Sequence, residues 1–331
     1  PITLDDWKRQ HRLSPYVSGN AEFAATYINR MDLNLVRRMS ATQTAADNIA
    51  FLVCNHPGPD GSTQAEVDLV LDVALAEQKQ IACVAMEWSP VAGVNGGLPF
   101  TKFLTFGPDG ALLLSINLDG RGEKFMPGAC VACHGGSQYA GRFAPSGKGS
   151  PFLGSGFLPF DTGNYLFGSR SGQPEAAQNQ AFFDLNRLVK ATDANSTNRS
   201  TTRLIDGWYR NGTTTTLDKS YVPDAWRQAE NAGAAGASKL YREVVGAVCR
   251  TCHAAMGSDS RIAKFDWDTN VNGILNNGTA NAHFCGGQAD VLTNASMPNA
   301  LISRDRLIDR IQADPELSTL MQTYLGCVTP V

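Results

Sequence analysis

The pentad Cys-x-x-Cys-His occurs twice in this chain, as CVACH at Cys130–His134 and as CRTCH at Cys249–His253. No other feature restricts the fold as strongly. Two thiols three residues apart on one helical turn can add to the two vinyl groups of a haem, and the histidine that follows then presents its imidazole to the iron. A chain so modified must build its interior around the macrocycle. With 8 Cys and 5 His among 331 residues, composition alone would generate such a pentad in on the order of 0.003 chains. Two copies are therefore a selected pattern. Two other chemistries use paired cysteines. A zinc site draws four ligands from Cys and His pairs, and two Cys-x-x-Cys pairs could share one ion. A redox dithiol needs only the cysteines. Neither explains why the same histidine follows both pairs, so the expectation is two covalently bound haem c groups, with His134 and His253 as proximal iron ligands.

Length permits two domains or one large one. The formal net charge of −3 and the absence of long basic runs argue against nucleic acid as a partner. No run approaches the ~18 apolar residues of a membrane span, so no transmembrane segment is expected. The chain opens at Pro1 in polar sequence, without a signal peptide. Covalent haem attachment normally takes place outside the bacterial cytoplasm, so Pro1 reads as the start of a processed chain, and a periplasmic or secreted location is expected. The four cysteines outside the pentads, Cys54, Cys83, Cys285 and Cys327, suit that compartment as disulfides. Of the three possible pairings, Cys54–Cys83 and Cys285–Cys327 are preferred because each stays within one proposed domain; buried free thiols are the alternative.

Hydrophobic spacing gives the order of elements. Phe23, Tyr27 and Met31, four apart, predict one or two helices over 20–40, with Met39 at the end. Asn48–His56 and Ile81–Pro90 read as buried strands, and Ala65–Gln78 as a helix. Two strand-like runs flank the turn GPDG at 107–110, which predicts a hairpin within Phe100–Gly122. A small antiparallel sheet with a covering helix is thus expected to lead into the first pentad. Beyond Gly136 the chain is rich in Gly, Ser and Pro. Glu175–Thr192 reads as an amphipathic helix, and RLIDGWYR, between polar connectors, as a short one. In ASKLYREVVGAVCRTCH, Leu240, Val244 and Val248 form an apolar stripe that enters the second pentad. A helix from about Ser303 to Ala313 follows, and Asp314-Pro315 can cap another.

Residues ~235–331 resemble a class I cytochrome c domain: an N-terminal helix, the CRTCH pentad, a Met-Pro loop in NASMPNA and a C-terminal helix. The resemblance implies Met297 as the sixth ligand of the second iron. The first part, through DLNLVRRM, VAMEWSP, LDGRG and CVACHGG followed by LPFD, resembles haem-binding regions of exported bacterial multi-domain proteins, which implies no particular activity. The expected fold is α+β. An N-terminal domain (1–222) has a small antiparallel sheet, helices and one haem; a mainly α class I cytochrome c-like domain (223–331) carries the other.

The far side of the first haem decides function. Met39 is the first choice for its sixth ligand, since Arg37 and Arg38 beside it could pair with propionates. Met86, His56, a surface His11 or a vacant position are the alternatives, and Met126 lies too close to Cys130 in sequence. If both irons are six-coordinate, the protein relays single electrons between redox partners outside the cytoplasm or to an extracellular acceptor. If the first is open, a dihaem peroxidase-like enzyme results. That enzyme needs a distal acid–base group, for which Glu87 and His56 are the candidates.

Overall fold

Alternation along the strands explains the architecture. The computed structural model describes residues 1–17, 22–137, 152–193, 200–256, 265–276, 280–294 and 296–327. Most of the Gly/Ser/Pro-rich stretch after the first pentad and part of the connector before RLIDGWYR lie outside them. Strands β1 (Glu22–Asn29), β2 (Leu35–Ala45), β3 (Asn48–Pro57), β4 (Ala82–Ser89) and β5 (Phe100–Phe106) form an antiparallel meander. A short ribbon, β6 (Ser115–Ile116) with β7 (Lys124–Phe125), stands apart. Strand β8 (Tyr165–Leu166) joins the outer edge of β1, giving the order β5-β4-β3-β2-β1-β8. The protein is therefore mixed α/β around a six-stranded antiparallel sheet.

Two expectations change here. The stretch 20–40 is a β-hairpin, with Ala25 opposite Met39 and Tyr27 opposite Arg37. Met39 lies within a strand and ends no helix. The hairpin expected after GPDG is only begun: Phe106 bridges Leu112 and Leu113 N–H donates to Thr105 O (2.7 Å), after which the chain leaves to pair β6 with β7.

Because facing residues of neighbouring strands share a side, register sorts the sheet into two faces. One carries Phe51, Met86 and Phe103 in one row and Met39, Val53, Val84 and Thr105 in the next. The other carries Cys54 directly opposite Cys83, with Leu52 and Ala85 beside them, and these form the expected disulfide. Helices α1 (Leu4–His11) and α2 (Gln64–Leu75) cover this second face. Each begins at a threonine, Thr3 or Thr63, whose hydroxyl accepts from the third helical N–H while an acid, Asp6 or Glu66, reaches back. Trp7 and Leu13 pack over Leu52, Ala85 and the disulfide; Val67, Leu71 and Ala74 pack over Ile28 and Val36.

The first face meets the rest of the chain. Helix α3 (Gly128–His134) contains the first pentad, and α4 (Glu175–Thr192) and α5 (Ser200–Trp208) lie where the sequence predicts helices. After α6 (Asp224–Asn231), α7 (Ala237–Leu240) runs through a π-helical segment, Tyr241–Cys249, into α8 (Arg250–His253), the second pentad. Then come α9 (Val271–Leu275), a π-helical turn at Asn281–Cys285, α10 (Asp290–Thr293), α11 (Leu301–Ala313) and α12 (Pro315–Leu325). The Asp314 side chain caps α12, accepting from the N–H groups of Glu316 and Leu317. Cys285 and Cys327 form the second expected disulfide. Where α12 crosses the start of α7, Gly236 has φ +79°, and a Cβ on it would lie 2.6 Å from Leu320 Cδ2. Tyr324 O–H donates to Ala235 O (2.9 Å) at the same crossing. One buried cluster runs from Met39, Phe51 and Met86 of the sheet through Phe182, Trp208 and Trp226 to Val244, Leu317 and Met321, continuous across residue 222.

Candidate functional site

The first pentad opens on a cleft between the sheet and the helices. Cys130, Cys133 and His134 line it from α3, while Met39, Phe51, Val53, Val84 and Met86 form the opposing wall. Non-atom space inside, including solvent at the mouth, amounts to about 1360 Å³. The geometry of His134 suits an iron ligand. Its Nδ1–H donates to Gly156 O (2.9 Å), and Gly156 N–H donates back to His134 O (3.0 Å). The first bond fixes the tautomer that leaves Nε2 with its lone pair. Gly136 is required beside it: φ is +102°, and a Cβ would lie 2.5 Å from Leu153 O. Burial, only partly offset by the Gly156 bond, lowers the His134 pKa to about 4. The imidazole is therefore neutral at pH 7, as metal ligation needs.

The second pentad packs directly on the first. Helices α3 and α8 touch, and this brings the Cys133 and Cys252 thiols close enough to perturb each other. Burial lowers His253 to about 4 as well, and its ring lies 5.2 Å from that of Phe265. Its Nδ1 is buried without a hydrogen-bond partner among the described residues. Enclosure pushes the Cys130 and Cys249 thiols up to about 12, and the neighbouring Cys133, together with burial, raises Cys252 well above the usual thiol range. These are not the exposed, low-pKa thiols of a redox dithiol. Among the described residues, no three His, Cys, Asp or Glu side chains gather as a metal ion would require, so the shared-zinc arrangement finds no support.

Polar groups of the cleft come in pairs. Arg37 holds Asp32 (2.5 Å), Lys124 holds Asp119 (2.7 Å), and Arg250 holds Asp161. Arg38, one residue along β2, projects from the opposite face to Glu77 (2.8 Å), so the expected partnership of Arg37 and Arg38 at one site does not form. Asn299, two residues after Met297, lines the cleft and donates to Ala129 O (3.1 Å). Met297 itself is half-buried against Ala289, Val291 and Ala300, and none of its described contacts is with His253.

Three polar candidates lie behind the sheet, away from the cleft. His56 is fully buried, with Nδ1–H donating to Gln78 O (2.7 Å). His11, expected on the surface, is buried, with Nε2 2.9 Å from Glu87 Oε2 and its ring against Trp7. Glu87 also accepts from Trp7 Nε1–H (3.2 Å) and Ser89 O–H (2.9 Å), and pairs with Lys102 (3.1 Å). Burial opposes its ionisation, but His11, Lys102 and Ser89 outweigh it and bring its pKa to about 2. None of the three reaches the space that His134 faces. Met86 stays in contention with Met39, and Met126 also lines the cleft, its sulfur 3.7 Å from Cys130 Sγ.

Sequence reasoning missed Arg250, Asp161, Asn299 and Asp32. Arg250 and Asp161 stand inside the motifs CRTCH and LPFD, yet are 89 residues apart, and only the fold joins them. Among the described residues no helix is long and apolar enough to cross a membrane. Comparison with models of protein families, with curated proteins and with solved structures gave no match.

Proposed function

We propose that the chain is a dihaem c-type cytochrome that relays single electrons between redox partners outside the cytoplasm. The observation that carries this reading is the packing of the two pentads, Cys133 thiol against Cys252 thiol, beside a histidine preset for iron by Gly156. Each haem, when bound, supplies an iron that changes by one electron without making or breaking bonds in a substrate. The chain's own residues do the rest. Cys130, Cys133, Cys249 and Cys252 would supply the thioether sulfurs, from two helices that touch. His134 and His253 supply neutral imidazoles. Met39, on the cleft wall facing the first pentad, would help hold the first iron, and Met297 the second.

Relay is favoured over peroxide chemistry by where the acids are. Glu87 and His56 lie on the other side of the sheet, and the carboxylates that line the cleft, Asp32 and Asp161, are each held by an arginine. A class I-like unit at ~235–331 is supported by the crossing of α12 on α7 at Gly236 and by the Cys285–Cys327 link between the Met-Pro region and the C-terminal helix. Two disulfides agree with an oxidising compartment. Spectroscopy of the matured protein tests the proposal. Two haems per chain, both low-spin in the ferric EPR spectrum and inert to peroxide, are expected. A high-spin iron that reacts with peroxide would replace the relay with an enzyme, and absence of haem would overturn both.

A further inference from the structure

Arg250 belongs to the second pentad by sequence but lines the cleft of the first. It is 7% exposed, donates to Asp161 Oδ2 and Tyr241 Oη, and has the rings of Trp208, Tyr241 and Trp267 at 5.0, 5.4 and 5.7 Å from its guanidinium carbon. Such a cage fixes a cation without screening it by water. Its Nε–H is buried and has no partner among the described residues. Arg37, across the same cleft, repeats the pattern. Its Nη2 is taken by Asp32 at 2.5 Å, and its Nε–H is likewise buried and unpartnered. Buried donors are ordinarily satisfied, and two unsatisfied guanidinium N–H groups in one cleft call for acceptors. Because each arginine is already neutralised by its aspartate, an anion entering here finds free donors rather than free charge.

We propose that Arg250 serves the first cofactor: its Nε–H and that of Arg37 receive the two propionate carboxylates of the first haem. The inference rests on the dihaem reading. It makes the second pentad a structural part of the first site, so that one residue beside Cys249 sets the potential of the other haem. An arginine presents a planar fork to a carboxylate that a lysine cannot reproduce.

The test uses matured protein, first assayed for two haems per chain so that failure of the dihaem reading is seen separately. Redox titration of R37Q identifies the potential belonging to the first haem. R250Q is expected to lower that same potential by at least a tenfold change in the reduction equilibrium, 59 mV for one electron. D161N, which keeps Arg250 and removes a neighbouring negative charge, is expected to raise it and remains informative if R250Q does not fold. R38Q, on the opposite face, should move neither potential. R250K separates fork from charge: the propionate-bending modes of one haem in the resonance Raman spectrum should shift although the charge is kept. Unmoved Raman modes in R250K, or a shift in R250Q confined to the potential that R37Q leaves alone, would overturn the proposal.

Discussion

The two pentads share chemistry and differ in what holds them. His134 sits on a helix of seven residues, and its orientation comes from outside: from the Gly156 carbonyl, from a turn that only Gly136 permits, and from a wall of strand residues. His253 ends a helical run that begins at Ala237, is half-buried beside Phe265, and lacks a described partner for Nδ1. One site is framed by a sheet and hydrogen bonds, the other by helix packing. A hydrogen bond to Nδ1 aligns an imidazole and raises its basicity, so among the described contacts His134 is the more firmly oriented of the two side chains.

Removing each histidine sharpens this contrast most. H134A and H253A should each abolish the low-spin ferric EPR signal of one haem and leave the other. If a single substitution erased both signals, the two sites would not be separable units. The disulfides come next, one stapling the sheet and one the helices. Replacing Cys285 and Cys327 by Ala should cost about 4 kcal/mol in denaturant unfolding, and replacing Cys54 and Cys83 about 0.3 kcal/mol less, from loops of 42 and 29 residues. A far smaller loss for the sheet pair would mean that strand pairing already confines it in the unfolded chain.

Acid should weaken the sheet side through one carboxylate. The Glu87 carboxyl falls from 4.5 to about 2 on folding, so its contribution is complete above pH 4.5 and is lost as the pH falls toward 2. Wild type should lose on the order of 2–3 kcal/mol across that window through this group, whereas E87Q should be less stable at pH 7 and flatter in acid. Equal pH slopes for the two proteins would remove Glu87 from the account. The smallest change separates the two cleft methionines. M39L should turn the first iron high-spin, while M86L should leave its spectrum alone and cost under about 1.5 kcal/mol of stability. The reverse pattern would transfer the ligand role to Met86.

How legible these regions were follows from periodicity. Strands β3 and β4 and helices α2, α4, α11 and α12 stand near where apolar runs and caps put them, and both cysteine pairs join as the domain argument required. The β1–β2 hairpin was not legible because a spacing of four satisfies both periods. Phe23 and Tyr27 share a helical face at 3.6 residues per turn and equally share one side of a strand. The burial of His11 and His56 was hidden for another reason. Histidine goes inside where a partner awaits it, and Glu87 lies 76 residues from His11. Arg250 was hidden by its own motif, whose cysteines and histidine account for the pentad without it.

The lining of the first cleft also sets an order of assembly. The pentad that lines it ends at His134, but Trp208, Arg250, Thr251 and Asn299 complete its walls. A chain emerging from its N-terminus therefore presents the first pentad well before the segments that will enclose it. Closure of that pocket is therefore a late, non-local event in folding, and Cys130 and Cys133 stay open to solvent for as long as the C-terminal helices have yet to arrive.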